Sequence, residues 1–154
     1  MTIRRKMATV LATCVAAFAG PALADDLLLS KADATDLITS DIGKPYWQME
    51  AQCAGVFGAA YAWHMDRHAQ KEANVAKDAG IAMLNQSVAR LEFDRGLDQP
   101  AALNLAAEEV EVGRATTKIG LERQGAGPQS YYNIMRSACF DISDAERKHN
   151  GNRR

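Results

Sequence analysis

No stretch of this chain alternates apolar and polar residues over a strand's length, and no motif recurs at a period of roughly 20 to 50 residues. These absences exclude sheet folds and solenoid arrays and leave a helical reading. There is no CxxC or CxxCH, so thioredoxin-like redox chemistry and covalent haem attachment have no support. HExxH and Gly-x-Ser-x-Gly are also missing, and "ERQGAGPQS" lacks the lysine and Ser/Thr of a phosphate-binding loop. The longest apolar run, Met7 to Ala19, falls short of the roughly 20 residues a membrane span needs.

That run belongs to an N-terminal pattern with its own meaning. Arg4, Arg5 and Lys6 precede it, and Ala22-Leu23-Ala24 follows with small residues where a signal peptidase reads. Residues 1–24 are therefore expected to be a cleaved signal peptide, and the protein to be periplasmic or secreted. A lipoprotein reading through Cys14 would leave an apolar run of only about six residues before the cysteine, below the usual length. Cleavage removes three basic residues and leaves 15 against 19 acidic ones, a formal charge of −4. An acidic exported chain is a poor candidate for nucleic acid. Residues 25–154 are expected to form a single helical domain with a short disordered C-terminal tail, with no integral membrane segment left after cleavage.

Cysteine is scarce, and the scarcity is informative. Of three cysteines, Cys14 lies in the removed segment, so Cys53 and Cys139 remain as an even pair. In an oxidising compartment such a pair reads as one disulfide. Closing a loop of this length is worth about 2 to 4 kcal/mol in typical measurements.

After a lead-in with an expected short helix from Lys31 to Ser40, closed by Gly43 and Pro45, four helical segments follow. The first starts at Pro45 and runs through "WHMDRH", with Cys53, Phe57, Ala60, Tyr61 and His64 on one stripe. Its flanking positions are also small or apolar, which predicts the helix most enclosed by its neighbours, and Gly55 and Gly58 predict close backbone approach. A break near Gln70 to Asn74 leads to the second, with Ile81, Leu84, Val88 and Leu91 inward and a stop at Gly96. The third is capped by Asp98 with Pro100 in its first turn, and Leu103, Ala106, Ala107, Val110, Gly113, Thr117 and Leu121 make its inner face. The fourth, from about Pro128 to Gly151, carries Tyr131, Tyr132, Ile134, Met135, Ala138, Cys139 and Ile142.

Four such helices joined by short turns predict an all-α, up-down-up-down four-helix bundle. First and last helices are then antiparallel neighbours, and Cys53 and Cys139 fall at similar heights. The fold and the disulfide support each other.

Chemistry is sparse by comparison. His64 and His68, four residues apart, are the candidate metal ligands, since a helix would set both imidazoles on one side. Zinc takes three or four ligands, and His149 or the group Glu108, Glu109 and Glu111 would have to supply the rest. The alternative is that His64 closes the aromatic seam while His68 lies at the solvent boundary. Glu146 and His149 have the ExxH spacing of di-iron bundles, but in one copy where that architecture uses two. No cofactor is expected. The chain reads as an exported, non-catalytic binding or interaction protein, with a protein partner expected but not named by the sequence. The second reading is a metal-binding periplasmic protein using His64 and His68.

Overall fold

The computed structural model describes residues 26–151, so the expected signal peptide and the last residues of the expected tail lie outside the described part. The order is a lead-in ending in a single 3-10 turn, Thr39–Asp41, then α1 (Tyr46–Met65), α2 (Gln70–Arg95), α3 (Gln99–Gln124) and α4 (Tyr131–Gly151). Among the described residues no helix is long and apolar enough to cross a membrane.

The helices run up, down, up and down. Ser87 of α2 donates its hydroxyl to the Trp47 carbonyl while Gly80 lies against Ala54 and Phe57, so α1 and α2 are antiparallel. Gln48 and Gln52 of α1 reach Glu109 and Gly55 meets Val110, so α1 and α3 are parallel. Cys53 joins Cys139 in a disulfide with Cα atoms 5.5 Å apart, and Phe57 packs on Phe140 with ring centroids at 5.7 Å. That is the predicted bridge between first and last helices.

The bundle is not square. Across it, α1 and α3 touch through their backbones: a Cβ on Gly55 would stand 2.0 Å from the Val110 carbonyl oxygen, and one on Gly113 2.0 Å from that of Gln52. Two glycines thus draw the diagonal pair together, and α1 packs mainly against α2 and α3 and less extensively against α4. Its buried residues run from Tyr46 to Ala60 on all sides, as the sequence predicts for an enclosed helix. Gly58 is different, because only the Arg114 side chain faces it, at 3.7 Å.

Three expectations change. The lead-in has no helix over 31–40; its density of Asp, Ser and Thr favours local side-chain bonds such as Thr39 Oγ1 to the Asp36 carbonyl, which compete with helix formation. It still packs as a lead-in should, with Leu29 and Ile38 fully buried, and Leu28 bridges to Pro45. The break after α1 comes earlier than predicted, at 66–69. There His68 is left-handed (φ 57°), its N–H bonds the Met65 carbonyl, and the Ala69 N–H bonds that of His64. These two bonds make a Schellman cap, usually closed by glycine, which the sequence does not announce here. Finally, Ile81 and Leu103 are exposed, whereas Ser87, Arg90 and Asp94 are buried.

The close crossing sets a sharp expectation. Gly55→Ala and Gly113→Ala should each destabilise the fold by about 3 kcal/mol or more, because the intruding methyl meets backbone that cannot yield cheaply. Gly58→Ala should instead be neutral or stabilising by up to about 1 kcal/mol through helix propensity. Denaturant titration of the three variants distinguishes them; equal effects would refute the crossing.

Candidate functional site

Two polar regions stand out, one sealed and one open. The sealed one arises because α1, α2 and α4 place Glu50, Arg90, Asp94 and Glu146 inside the bundle, all at most 5 % exposed. Arg90 Nη2 donates to Glu146 Oε1 at 2.5 Å and Nη1 to Asp94 Oδ1 at 3.4 Å. The other oxygen of Asp94 accepts the Leu27 N–H at 3.0 Å, which ties the lead-in to the cluster.

Glu50 is the group under tension. As a carboxylate it has no donor within reach among the described residues. Burial, and secondly the Glu146 charge, push its carboxyl up to about 9, against the opposing pull of Arg90. Glu50 is therefore a neutral acid at neutral pH. Tyr46 beside it is pushed up to about 12 by burial and by the carboxylates of Asp33, Glu146 and Glu50. A sealed cluster of this kind orders the core, and its desolvation offsets much of its attraction.

The open region is a cleft of about 630 Å³ between the C-terminal half of α1 and α3. Such volumes suit small-molecule ligands, whose pockets run roughly 300 to 1,000 Å³. Gly58, Ala59, Tyr61, Ala62 and Trp63 supply the α1 wall, and Asp66 and Arg67 continue it past the helix end. From α3 come Arg114, Lys118, Leu121 and Glu122.

Local structure fixes these side chains. The cap after Met65 turns Arg67 back, so its Nη1 donates to the Trp63 carbonyl at 3.1 Å and its guanidinium lies 3.8 Å over the Trp63 ring. Trp63 also meets the His64 ring edge-on, with centroids 5.0 Å apart. Arg114 Nη1 pairs with Glu111 at 3.2 Å, while its Nε and Nη2 lie over Gly58. Glycine at 58 lets that guanidinium pack against the α1 backbone.

The residues singled out by sequence are placed as follows. His64 is half-buried around a separate hollow with Phe57, Lys71 and Glu72, and burial lowers its pKa from the ordinary value. His68 lies beyond α1 in left-handed backbone, so the two histidines do not share a helix face. Three of the four donors the sequence offers to complete a metal site are engaged elsewhere: His149 meets Asp33 at 3.0 Å, Glu109 takes both Gln48 and Gln52, and Glu111 pairs with Arg114. Among the described residues no group of three or more His, Cys, Asp or Glu is placed to hold a metal. The ExxH pair also diverges, Glu146 going to Arg90 and His149 to Asp33.

Sequence reading missed both polar regions. Glu50 sits three residues before Cys53 on the α1 stripe, and Ser87, Arg90 and Asp94 repeat at helical spacing on α2. That polar repeat was the available signal. No protein-family model, curated protein or solved structure matches the chain.

Two expectations follow from these geometries. Glu50 has a folded pKa near 9 against an ordinary 4.5, so the folded state holds a proton that the unfolded state releases between those values. Its contribution is complete below pH 4.5 and is lost as pH rises towards about 9. Glu50→Gln should therefore match the wild type near pH 4 and exceed it increasingly towards pH 9, in urea titrations across that range; a constant difference would contradict a neutral Glu50. His68→Gly should raise stability by about 1 kcal/mol, since glycine adopts the left-handed cap without the Cβ penalty. A thermal melt that falls instead would deny that cap.

Proposed function

We propose that the protein is an exported, non-catalytic binding protein and that the cleft between α1 and α3 is its binding site. The observation that carries this reading is the cleft itself: about 630 Å³, walled by Tyr61 and Trp63 and framed by Arg67, Arg114 and Lys118. Aromatic faces and fixed cations are the groups that hold and orient a ligand with both an apolar and a polar part. Export is supported by the three-part pattern of residues 1–24 and by the Cys53–Cys139 disulfide, a bond that persists in oxidising compartments.

A cleft between helices, rather than at a loop cluster, also favours binding over a moving part. Its walls belong to the two helices held in backbone contact at Gly55 and Gly113. A rigid wall loses little entropy when a ligand arrives.

The test is a native mass spectrum of the full chain exported by a bacterial host and purified without chelator. The expected result is a processed, oxidised chain carrying an organic molecule that is absent from Ala62→Trp, a substitution that fills the cleft from an exposed position. A bare wild-type chain, or cargo that survives Ala62→Trp, would overturn this site.

A further inference from the structure

We infer that the outer face of α3 is an interface with a second copy of this chain, the two α3 helices packing antiparallel about a two-fold axis between Ala115 and Thr116. This pairing is independent of the cleft as a binding site.

Exposed apolar side chains elsewhere in the described residues are scattered. On α2, Ile81 points away from the side that Val75 and Phe93 share, and those two are about five turns apart; on α4, Ile134 and Phe140 point to different sides. Isolated residues of this kind are ordinary. On α3 the arrangement differs: Val112 and Ile119, 52 % and 50 % exposed, stand one heptad apart with the exposed Ala115 and Thr116 between them. The positions Glu108, Val112, Ala115, Ile119 and Arg123 advance by four, three, four and four residues, which keeps all five on one side of the helix, as in a coiled-coil seam. All five are exposed.

The order of residues along this seam selects the occupant. The midpoint of Val112 and Ile119 is also the midpoint of Glu108 and Arg123, so a second α3 laid antiparallel sets Val112 against Ile119 and Glu108 against Arg123, each twice. A two-fold interface needs that coincidence. A parallel copy in register would instead set Glu108 on Glu108 and Arg123 on Arg123. At the centre the small side chains of Ala115 and Thr116 let the two helices approach closely. The Thr116 hydroxyl donates to the Val112 carbonyl at 2.9 Å, so the polar atom at the centre of the seam is already bonded within its own helix.

Charge supports the same register. Beside the seam, on the flank towards the cleft, Glu111 pairs with Arg114 and Glu122 with Lys118 inside the helix. Glu108 and Arg123, on the seam itself, have no ion-pair partner among the described residues. Fifteen residues separate them, about 22 Å along the helix, so they do not meet within one chain. In the antiparallel pair each meets its opposite charge on the other copy.

The test is sedimentation equilibrium of the full exported chain from about 10 µM to 1 mM. A reversible dimer is expected, dissociating at about micromolar concentrations or above, because a seam on one helix is small for an interface. Ala115→Arg, at the exposed centre, should abolish it. Glu108→Arg and Arg123→Glu should each weaken it about tenfold, since either change sets like charges opposite one another at both ends of the seam. The two changes together should return the dissociation constant to within about threefold of the wild type. Each substituted position is exposed, and a thermal melt verifies that every variant is folded. A chain that stays monomeric up to about 1 mM, a dimer that Ala115→Arg leaves intact, or a double swap that fails to restore association would each overturn the inference.

Discussion

Backbone contact between α1 and α3 is the constraint on which the rest of the molecule depends. At Gly55 and Gly113 neither helix has a side chain to hold the other away, and the diagonal of the bundle shortens until carbonyl and Cα surfaces touch. With α3 pressed on one side, α1 becomes enclosed, and α2 and α4 are left to pack around it. The small residues of α1, from Ala51 to Ala60, allow this enclosure. The disulfide from Cys53 then fastens α4 to the same helix.

Shortening one diagonal lengthens the other. Where α2 and α4 face each other, long polar side chains span the gap: Arg90 reaches Glu146, and Gln86 reaches Ser143 at 3.3 Å. Arg90 bridges two acids there, Glu146 of α4 and Asp94 of its own helix. Asp94 passes the connection to the backbone of Leu27, while Asp26 is gripped by Arg95 through two bonds at 2.8 and 2.6 Å. The lead-in is thus positioned by charge as well as by the burial of Leu29 and Ile38. Glu50 completes the cluster as a neutral acid, because a negative charge there, added to the two that Arg90 already serves, would be far more costly than a proton.

Above the glycine crossing the same two helices form the walls of the cleft. Gly58 keeps the floor clear for the Arg114 guanidinium, and the left-handed residue His68 ends α1 so that Arg67 folds over Trp63. The cleft is therefore a consequence of the crossing and of the cap, two backbone features, rather than of any sequence motif.

The sequence by itself determined the four helices, the Asp98 cap, the enclosed character of α1 and the pairing of Cys53 with Cys139. Each of these is legible because it depends on local spacing, or on the two cysteines that remain as a pair once the expected signal peptide with Cys14 is set aside. The tertiary structure alone decided which polar residues go inside and where the cleft opens. Ser87, Arg90 and Asp94 share a helical stripe that polarity assigns to solvent, and they are buried only because Glu50 and Glu146 of other helices, Trp47's carbonyl and Leu27's N–H meet them there. Ile81 and Leu103 are exposed for the converse reason, since no neighbouring helix covers their side of α2 and α3. A left-handed cap usually announces itself with glycine, so periodicity carries the helix through His68 and places on one face two histidines that the cap separates. Tyr61, Trp63, Arg114 and Lys118 come from segments about fifty residues apart in a chain whose periodicity reports only single helices. Burial and convergence are properties of pairs of helices, and a pattern within one helix does not contain them.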